Sequence, residues 1–226
     1  MSAQPDKSTT EREMTIGPLQ LRGDLRVPRD AWALVIFAHG SGSSRFSVRN
    51  RMVAEALNGR GIATLLFDLL TRDEEDDRAN IFDIALLTGR LIDVVRWAGD
   101  QGELAALPVG LFGASTGAAA ALMAAAQLGS RIGAVVSRGG RPDLAGASLS
   151  LVAAPTLLIV GGNDDVVITL NEQAYVQLKA RKSLKIVPGA SHLFPESGAM
   201  ETVIALSARW FADWLAPHSH DKRTRA

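Results

Sequence analysis

The sequence predicts an α/β fold, with a mostly parallel, doubly wound sheet, helices on both faces and no large lid domain. Apolar runs of strand length alternate along the chain with segments in which apolar residues recur at helical spacing. This alternation is typical of right-handed βαβ units. The runs are also nearly continuous in apolar residues, as expected for parallel strands that are buried on both faces.

Length and composition are those of one globular domain. The chain has 226 residues, of which 47% are hydrophobic and 21% are charged, and α/β domains commonly reach this length undivided. We expect the domain to cover residues 13–216. The segments 1–12 and 217–226 are polar or charged and are expected to be flexible tails.

Charge and cysteine content exclude several classes of function. The formal net charge is zero, which does not favour a nucleic-acid or anionic-membrane partner. The chain has no cysteine, so disulfides, thiolate catalysis and cysteine metal sites are excluded. The polar N-terminus has no apolar signal core. These features predict a cytoplasmic protein, and they define no oligomeric state.

One uncharged stretch, residues 104–126, is long enough for a membrane span. Pro108, Gly110 and Gly113 interrupt it, and alanine forms much of the remainder. A strand buried on both faces and followed by a central helix produces the same uncharged run. We therefore expect a strand and a helix here, and no membrane partner.

The strand candidates follow in order. Residues 19–27 alternate between apolar and polar, which predicts an antiparallel edge strand at the start of the sheet. Six buried strands are expected after it, at residues 33–37, 62–67, 109–112, 132–136, 156–160 and 184–187.

The helix candidates lie between these strands and after the last of them. Apolar stripes at helical spacing occupy residues 52–57, 84–98 and 203–215. The last of them contains Trp210 and Trp214, which we expect to pack on the sheet rather than bind a ligand.

A serine motif directly follows the third buried strand. Residues 113–117 are Gly-Ala-Ser-Thr-Gly, and G-x-S-x-G between a strand and a helix predicts a nucleophile elbow, a tight turn that exposes the serine hydroxyl. Gly113 and Gly117 are expected to flank Ser115 because a Cβ at either position would collide with the neighbouring strand or helix.

An acid and a base follow two later strands. Ligands bind beyond the carboxyl ends of the strands in open α/β sheets, and Asp164 and His192 lie at two such ends. Serine, acid and histidine in this chain order are typical of one hydrolase fold. For the acid, Asp165 and Asp143 remain alternatives.

Two further side chains at strand ends have structural interpretations. We expect His39 to shape the loop after the first buried strand. Asp68 follows the second buried strand and is expected to cap backbone amides near the site rather than act in catalysis.

These motifs resemble those of a minimal α/β-hydrolase of the dienelactone-hydrolase-like group, across essentially all of residues 14–215. The matching pieces are His39-Gly40 and residues 113–117, 161–164 and 189–192. Dienelactone hydrolases proper carry a cysteine at the nucleophile position, where this chain has Ser115. The chain is therefore similar to the serine-using, esterase-like relatives, and the dienelactone substrate does not carry over.

The roles of these residues define a mechanism. Ser115 is the predicted nucleophile, His192 the base that takes its proton and Asp164 the acid that orients the imidazole. The oxyanion donors are predicted to be the N–H of Thr116 and that of Ser41, with Gly42 as an alternative to Ser41. This chemistry needs no cofactor, and no His/Asp/Glu cluster has the spacing of a metal site.

The predicted function is hydrolysis of a small carboxylic ester or lactone through an acyl-enzyme. An acyltransferase that uses the same triad is an alternative within enzymes, and a non-catalytic binding module is an alternative outside them. The connection from Ser137 to Pro155 is too short for a helical lid, which favours a small or accessible ester.

Arginines cluster in two loops that should face the site. Arg45 lies after the first buried strand with two further arginines, Arg49 and Arg51, and Arg138 and Arg141 follow the fourth. Guanidinium groups bind carboxylate or phosphate in a bidentate manner, so Arg45 and Arg138 are candidates for binding an anionic substrate. The alternative is a salt-bridge network with nearby acids, for which Asp143, Asp73 and Glu74 are the candidate partners.

Overall fold

The computed structural model describes residues 9–216 and contains an eight-stranded sheet. The strands are β1 (Thr10–Ile16), β2 (Leu21–Val27), β3 (Ala33–Ala38), β4 (Ile62–Phe67), β5 (Val109–Ala114), β6 (Ile132–Arg138), β7 (Thr156–Gly161) and β8 (Lys182–Val187). Their order is β1-β2-β4-β3-β5-β6-β7-β8. The pairs β1·β2 and β2·β4 are antiparallel, and all other neighbours are parallel. The predicted mostly parallel sheet is confirmed.

Helices cover both faces of this sheet. They are α1 (Val48–Asn58), α2 (Arg72–Glu75), α3 (Arg78–Phe82), α4 (Ile84–Gly99), α5 (Thr116–Leu128), α6 (Asp165–Gln177) and α7 (Ala199–Leu215). Helices α4, α5 and α6 bury their apolar residues in the core on one face. Helices α1 and α7 do so on the other face, where Trp210 and Trp214 pack against the core as expected.

Strand β3 shows why its sequence is apolar without interruption. Leu34 and Ile36 point into the core beneath α4 and α5, whereas Val35 and Phe37 point into the core beneath α1 and α7. All four side chains are buried. A strand covered on both faces loses the apolar–polar alternation of a half-exposed strand.

The uncharged stretch at residues 104–126 divides between β5 and α5. Within residues 9–216, no helix combines the length and the apolar character that a membrane crossing requires. The stretch is uncharged because both elements lie in the centre of the fold, and most of their residues are buried.

The N-terminal edge of the sheet differs from the prediction. Strand β2 is antiparallel as expected, but it is not the edge strand, because β1 pairs along its outer side. Strand β1 was missed since most of its side chains are exposed and polar. It begins at Thr10, so residues 10–12 belong to a strand and not to the expected tail. Of the remaining expected tail residues, Thr9 is exposed and precedes β1, and residues 1–8 and 217–226 lie outside the described residues.

The opposite edge is β8, which has a weaker apolar pattern than the other parallel strands. Its side chains are largely half-exposed or exposed, and Val187 is its buried residue. The expectation that residues 184–187 form a buried strand is therefore wrong except at Val187, because β8 has a neighbouring strand on one side only. Edge strands commonly carry charged side chains, and lysines are prominent among them. Lys182 and Lys185 fit this pattern: the apolar signal starts only after Lys182 and Ser183, and Lys185 interrupts the predicted residues 184–187.

The connections place several loops at one end of the sheet. The parallel strands β3, β4, β5, β6, β7 and β8 all have their carboxyl ends on the same side of the sheet. The loops after β3, β5, β6, β7 and β8 meet there. Between β6 and β7, residues 142–151 form a short 3₁₀ segment kinked at Gly146, which packs against α5 and α6. The short connection therefore supplies no lid domain within the described residues.

Candidate active site

Ser115 lies in the turn between β5 and α5. Its backbone has φ 50° and ψ −123°, a left-handed region that side chains with a Cβ rarely adopt and that costs about 1–3 kcal/mol. A Cβ at Gly113 would lie 2.4 Å from Ala118 Cα, and one at Gly117 would lie 2.3 Å from the carbonyl oxygens of Ala38 and His39. The two glycines therefore permit the tight approach of strand, turn and helix.

His192 and Asp164 form a hydrogen-bonded pair. The Nδ1 atom of His192 lies 2.6 Å from Oδ2 of Asp164. With Nδ1 donating to the carboxylate, Nε2 is the nitrogen available to accept a proton.

The loops that carry these two residues are locked together by backbone contacts. The Asn163 N–H donates to Ala190 O at 2.8 Å, and the Asn163 side chain donates to Gly189 O at 2.9 Å. A Cβ at Gly161 would lie 2.4 Å from Ala190 O. The sequence Gly-Gly-Asn-Asp, which begins at the last residue of β7, is thus suited to holding the carboxylate against the histidine loop. These two hydrogen bonds of Asn163, which we call the Asn163 clasp, were not predicted.

The alternative acids have other positions. Arg141 donates to both oxygens of Asp143, from Nε at 2.8 Å and from Nη2 at 2.7 Å. This bidentate pair occupies the Asp143 carboxylate. Asp165 is the first residue of α6, and Asp164 is the aspartate that contacts His192.

A cavity of about 400 Å³ joins Ser115 and His192. This volume is in the range of small-molecule sites. The side chains and backbone that line it come from the loop after β3, the start of α1, and the ends of β5, β6 and β8: Gly40, Ser41, Gly42, Ser43, Ser47, Arg49, Asn50, Ala114, Ser115, Arg138, His192 and Leu193. The described residues contain no group of three or more His, Cys, Asp or Glu side chains placed to hold a metal ion.

The predicted oxyanion donors, Ser41 and Thr116, are in contact with each other. A Cβ at Gly40 would lie 2.9 Å from Ser115 Cβ, so the loop after β3 passes directly over the serine. The N–H of Thr116 is the first of α5, a position without an intrahelical acceptor. The Ser41 N–H, however, donates to Thr116 Oγ1 at 2.9 Å. The Thr116 hydroxyl thus accepts the hydrogen bond of the Ser41 N–H, the group that an oxyanion would need as its second donor.

His39 and Asp68 stabilise the loop after β3 through hydrogen bonds to its backbone and to the chain after β4. The ring of His39 is buried, with Nδ1 3.0 Å from Gly40 O and Nε2 accepting from the Leu69 N–H at 3.1 Å. Burial lowers the pKa of His39 and outweighs the opposing effects of Gly40 and Asp68. Asp68 accepts from the Arg45 N–H at 2.8 Å. Both side chains have the structural positions expected from the sequence.

Arg45 does not line the Ser115 cavity. Its guanidinium pairs with Asp68, with Asp24 at 3.3 Å and with Glu13 at 3.1 Å. Burial opposes the cation, but Asp68 and Asp24 outweigh it and raise the pKa of Arg45. The salt-bridge alternative therefore describes Arg45, although its partners differ from the acids considered in the sequence.

Arg138 is the arginine that reaches the cavity, and it is accompanied by Arg49. Arg138 is 5% exposed and donates from Nη2 to Asn50 Oδ1 at 3.2 Å. Burial, and secondarily the charge of Arg49, lowers its pKa to about 10. Arg49 and Asn50 lie in the first turn of α1, after the N-cap Ser47. The sequence signal that was available is this cap, which would have placed Arg49 rather than Arg45 at the site.

A larger cavity of about 520 Å³ lies beside the same loop. It shares residues 40–43 and Ser47 with the Ser115 cavity and is otherwise lined largely by apolar side chains of the region between β4 and α4. It contains neither Ser115 nor His192, so the chemistry belongs to the smaller cavity.

Comparison with known proteins agrees with this fold. The model of the alpha/beta hydrolase domain family matches residues 31–206, and the chain belongs to this family. A crystal structure of a dienelactone hydrolase from Anabaena variabilis is 51% identical and has a TM-score of 0.88, with 92% of this chain and 99% of that chain covered. The dienelactone-hydrolase-like resemblance is confirmed.

Two further comparisons extend the picture. A carboxyl esterase from Tuber melanosporum has a TM-score of 0.72 at 15% identity, covering 94% of this chain and 89% of that one, which shows a shared fold. Curated proteins from two strains of Mycobacterium tuberculosis, provisionally named as a phosphoribosyl transferase, are 56% identical over 214 residues. The match covers 95% of this chain, and the chain spans about half the length (48%) of those relatives.

Proposed function

We propose that this protein is a serine hydrolase that cleaves a small carboxylic ester or lactone through an acyl-enzyme. The observation that carries the proposal is one cavity containing Ser115 on a strained elbow and His192 hydrogen-bonded to Asp164. The hydrolase family and the esterase fold are consistent with it. A binding module would have no use for a backbone strain of about 1–3 kcal/mol at Ser115.

The reaction follows from the roles of these groups. His192 Nε2 takes the hydroxyl proton as Ser115 Oγ attacks the ester carbonyl, and the imidazolium is stabilised by the Asp164 carboxylate. Return of this proton to the leaving alkoxide releases the alcohol and leaves the acyl group on Ser115. A water activated by His192 then hydrolyses the acyl-enzyme.

The oxyanion requires two donors in this scheme. The Thr116 N–H is the first. The Ser41 N–H, which donates to Thr116 Oγ1 at 2.9 Å, is the second once the Thr116 hydroxyl turns away from it.

The relatives from Mycobacterium tuberculosis bear a name for a different reaction. That name belongs to proteins about twice the length of the matched stretch, and the matched stretch carries the hydrolase domain. We therefore base the proposal on the residues of the Ser115 cavity.

Labelling by an active-site probe tests the proposal. We expect wild type to react with a fluorophosphonate and to hydrolyse p-nitrophenyl acetate. Ser115→Ala should abolish labelling and lower kcat/KM by at least about 10³-fold. Ser150→Ala, in the 3₁₀ segment outside the Ser115 cavity, where the hydroxyl donates to Ala147 O at 3.0 Å, is the matched serine control. Folded wild type that is neither labelled nor active would overturn the proposal.

A further inference from the structure

The Ser115 cavity contains positive charge without a carboxylate to balance it. Arg138 is 5% exposed, and its guanidinium donates a hydrogen bond to the neutral amide of Asn50. Across residues 9–216, neither Arg138 nor Arg49 forms an ion pair with a carboxylate. Nearby arginines behave differently, since Arg45 and Arg141 are both paired.

A buried, unpaired cation is costly for a folded protein. Isolated charges lose hydration on burial, and buried charges are normally paired or bound to a ligand. The lowered pKa of Arg138 has this cause, and the group remains cationic at neutral pH. Arg49 adds a second positive charge instead of relieving the first.

The position of Arg49 increases the positive potential. It lies in the first turn of the 11-residue helix α1, where the helix dipole is positive and cations are disfavoured. Helix N-termini favour anions instead. Two guanidinium groups and one helix N-terminus thus converge on the cavity that holds Ser115 and His192.

We propose that Arg138 and Arg49 form an anion subsite that binds a carboxylate or phosphate group carried by the ester substrate. The inference rests on the proposed hydrolase function and defines its substrate class as anionic esters. Arg138 supplies charge-assisted hydrogen bonds from the end of β6, and Arg49 supplies a second cation from α1. An ester held there would lie with its carbonyl towards Ser115 in the same cavity.

Anion binding can be measured without catalysis. In a Ser115→Ala background we expect inorganic phosphate, or glutarate, to raise Tm above the value in chloride at equal ionic strength. Adding Arg138→Met should abolish that increase and change the anion-free Tm little, because the substitution removes a buried unpaired charge together with the hydrogen bond to Asn50. Arg49→Gln changes a half-buried side chain and serves as the second variant if Arg138→Met is poorly folded. We expect it to weaken the increase in Tm. Identical Tm values in all three anions would overturn the subsite, whatever the outcome for Ser115.

Turnover of matched esters gives the second readout. The pairs are 4-acetoxyphenyl phosphate or 4-acetoxybenzoate against methyl 4-acetoxybenzoate, and mono-4-nitrophenyl glutarate against 4-nitrophenyl butyrate. Arg138→Met should lower kcat/KM at least about tenfold for the charged members and less than about threefold for the neutral ones. A larger loss for the phosphate identifies phosphate as the bound group, and a larger loss for the carboxylates identifies carboxylate.

The control is Arg96→Gln, which removes one positive charge from an exposed position on α4. It should leave the charged-to-neutral ratio unchanged. Equal losses on charged and neutral members of both pairs in Arg138→Met would contradict the proposal. If activity instead survives in Ser115→Ala, the proposed function fails while the anion titration still tests the subsite.

Discussion

Asp164 and Asp143 follow neighbouring strands of the sheet, yet their carboxylates have different partners. Asp164 contacts the imidazole of His192 at 2.6 Å, whereas Asp143 accepts two hydrogen bonds from Arg141. A carboxylate that orients a catalytic imidazole and one that pairs with an arginine should respond differently to removal of their charge.

We therefore expect Asp164→Asn to lower kcat by about 10³–10⁴-fold, as the same change does in a known serine–histidine–aspartate triad. Asp143→Asn should keep most of the activity and cost about 0–1 kcal/mol of stability, the value of a partly exposed ion pair. Steady-state kinetics with p-nitrophenyl acetate separates the two. A greater loss in Asp143→Asn would contradict the assignment of the acid.

Thr116 bears on catalysis through its side chain as well as its N–H. Its hydroxyl accepts the Ser41 N–H at 2.9 Å, so an incoming oxyanion must displace it. Thr116→Ala keeps the backbone donor and removes the competitor, and we expect kcat/KM to rise about fivefold, since a net hydrogen bond is worth about 1 kcal/mol. Thr116→Val should lower kcat/KM, because a methyl group takes the place of the hydroxyl and still obstructs the oxyanion. A loss in Thr116→Ala would show that the hydroxyl positions Ser41.

Much of the site could be predicted from the sequence because its residues follow strands. Ser115 and Asp164 lie shortly after strands with a clear apolar signal, and His192 follows the weaker signal of β8. Arg45 and Arg49 lie further from their strand, in a loop and in helix α1, where position depends on where the next helix begins. For Arg49 this start is fixed by Ser47, whose hydroxyl accepts the Asn50 N–H at 3.4 Å. The Asn163 clasp joins two loops that are far apart in the chain, so no local pattern indicates it.

At the scale of elements, the junction of β5 and α5 depends on close backbone contact. Gly117→Ala would set a Cβ 2.3 Å from two carbonyl oxygens, that of Ala38 at the end of β3 and that of His39. Neither oxygen can move without shifting the strand or the loop over Ser115. We expect the change to destabilise the protein by about 3 kcal/mol or more, at the upper end of overpacking effects, and to reduce activity.

Gly89→Ala is the matched control in helix α4. A Cβ at Gly89 would have no atom within 4 Å, and alanine restricts the unfolded chain, so we expect a gain of about 0.5–1 kcal/mol. Urea unfolding followed by circular dichroism measures both variants. Similar free energies of unfolding for Gly117→Ala and wild type would contradict the packing account of the elbow.

The edge elements show the limit of sequence patterns. Strand β1 pairs with β2 over seven residues from Thr10 to Ile16, yet its exposed polar side chains give no apolar period. The interior strands were predictable because two layers of helices bury both of their faces. Strand β1 forms mainly through backbone pairing, which the sequence does not encode as a pattern of side chains.

For the whole molecule, His39 links stability to pH. Its buried ring has a pKa below the ordinary value of 6.5, so the unfolded chain binds the proton more readily than the folded one. Stability is therefore complete above about pH 6.5 and is lost as the pH falls towards the folded pKa. Protonation would also remove the acceptor for the Leu69 N–H.

The free energy of unfolding should accordingly decrease between pH 6.5 and 5 in wild type. In His39→Gln, which keeps a donor and an acceptor but does not titrate, the decrease should be smaller. Urea unfolding across this range provides the measurement. Equal slopes in the two proteins would exclude His39 as the group responsible.

The central claim is that Ser115 carries the acyl group during turnover. Rapid mixing with p-nitrophenyl acetate, quenching in acid during the first turnover and peptide mass spectrometry test it directly. We predict a burst of about one equivalent of p-nitrophenol per protein and one acetyl group on the peptide that contains Ser115. Turnover with the acetyl group on a different residue, or a burst that persists in Ser115→Ala, would contradict the account.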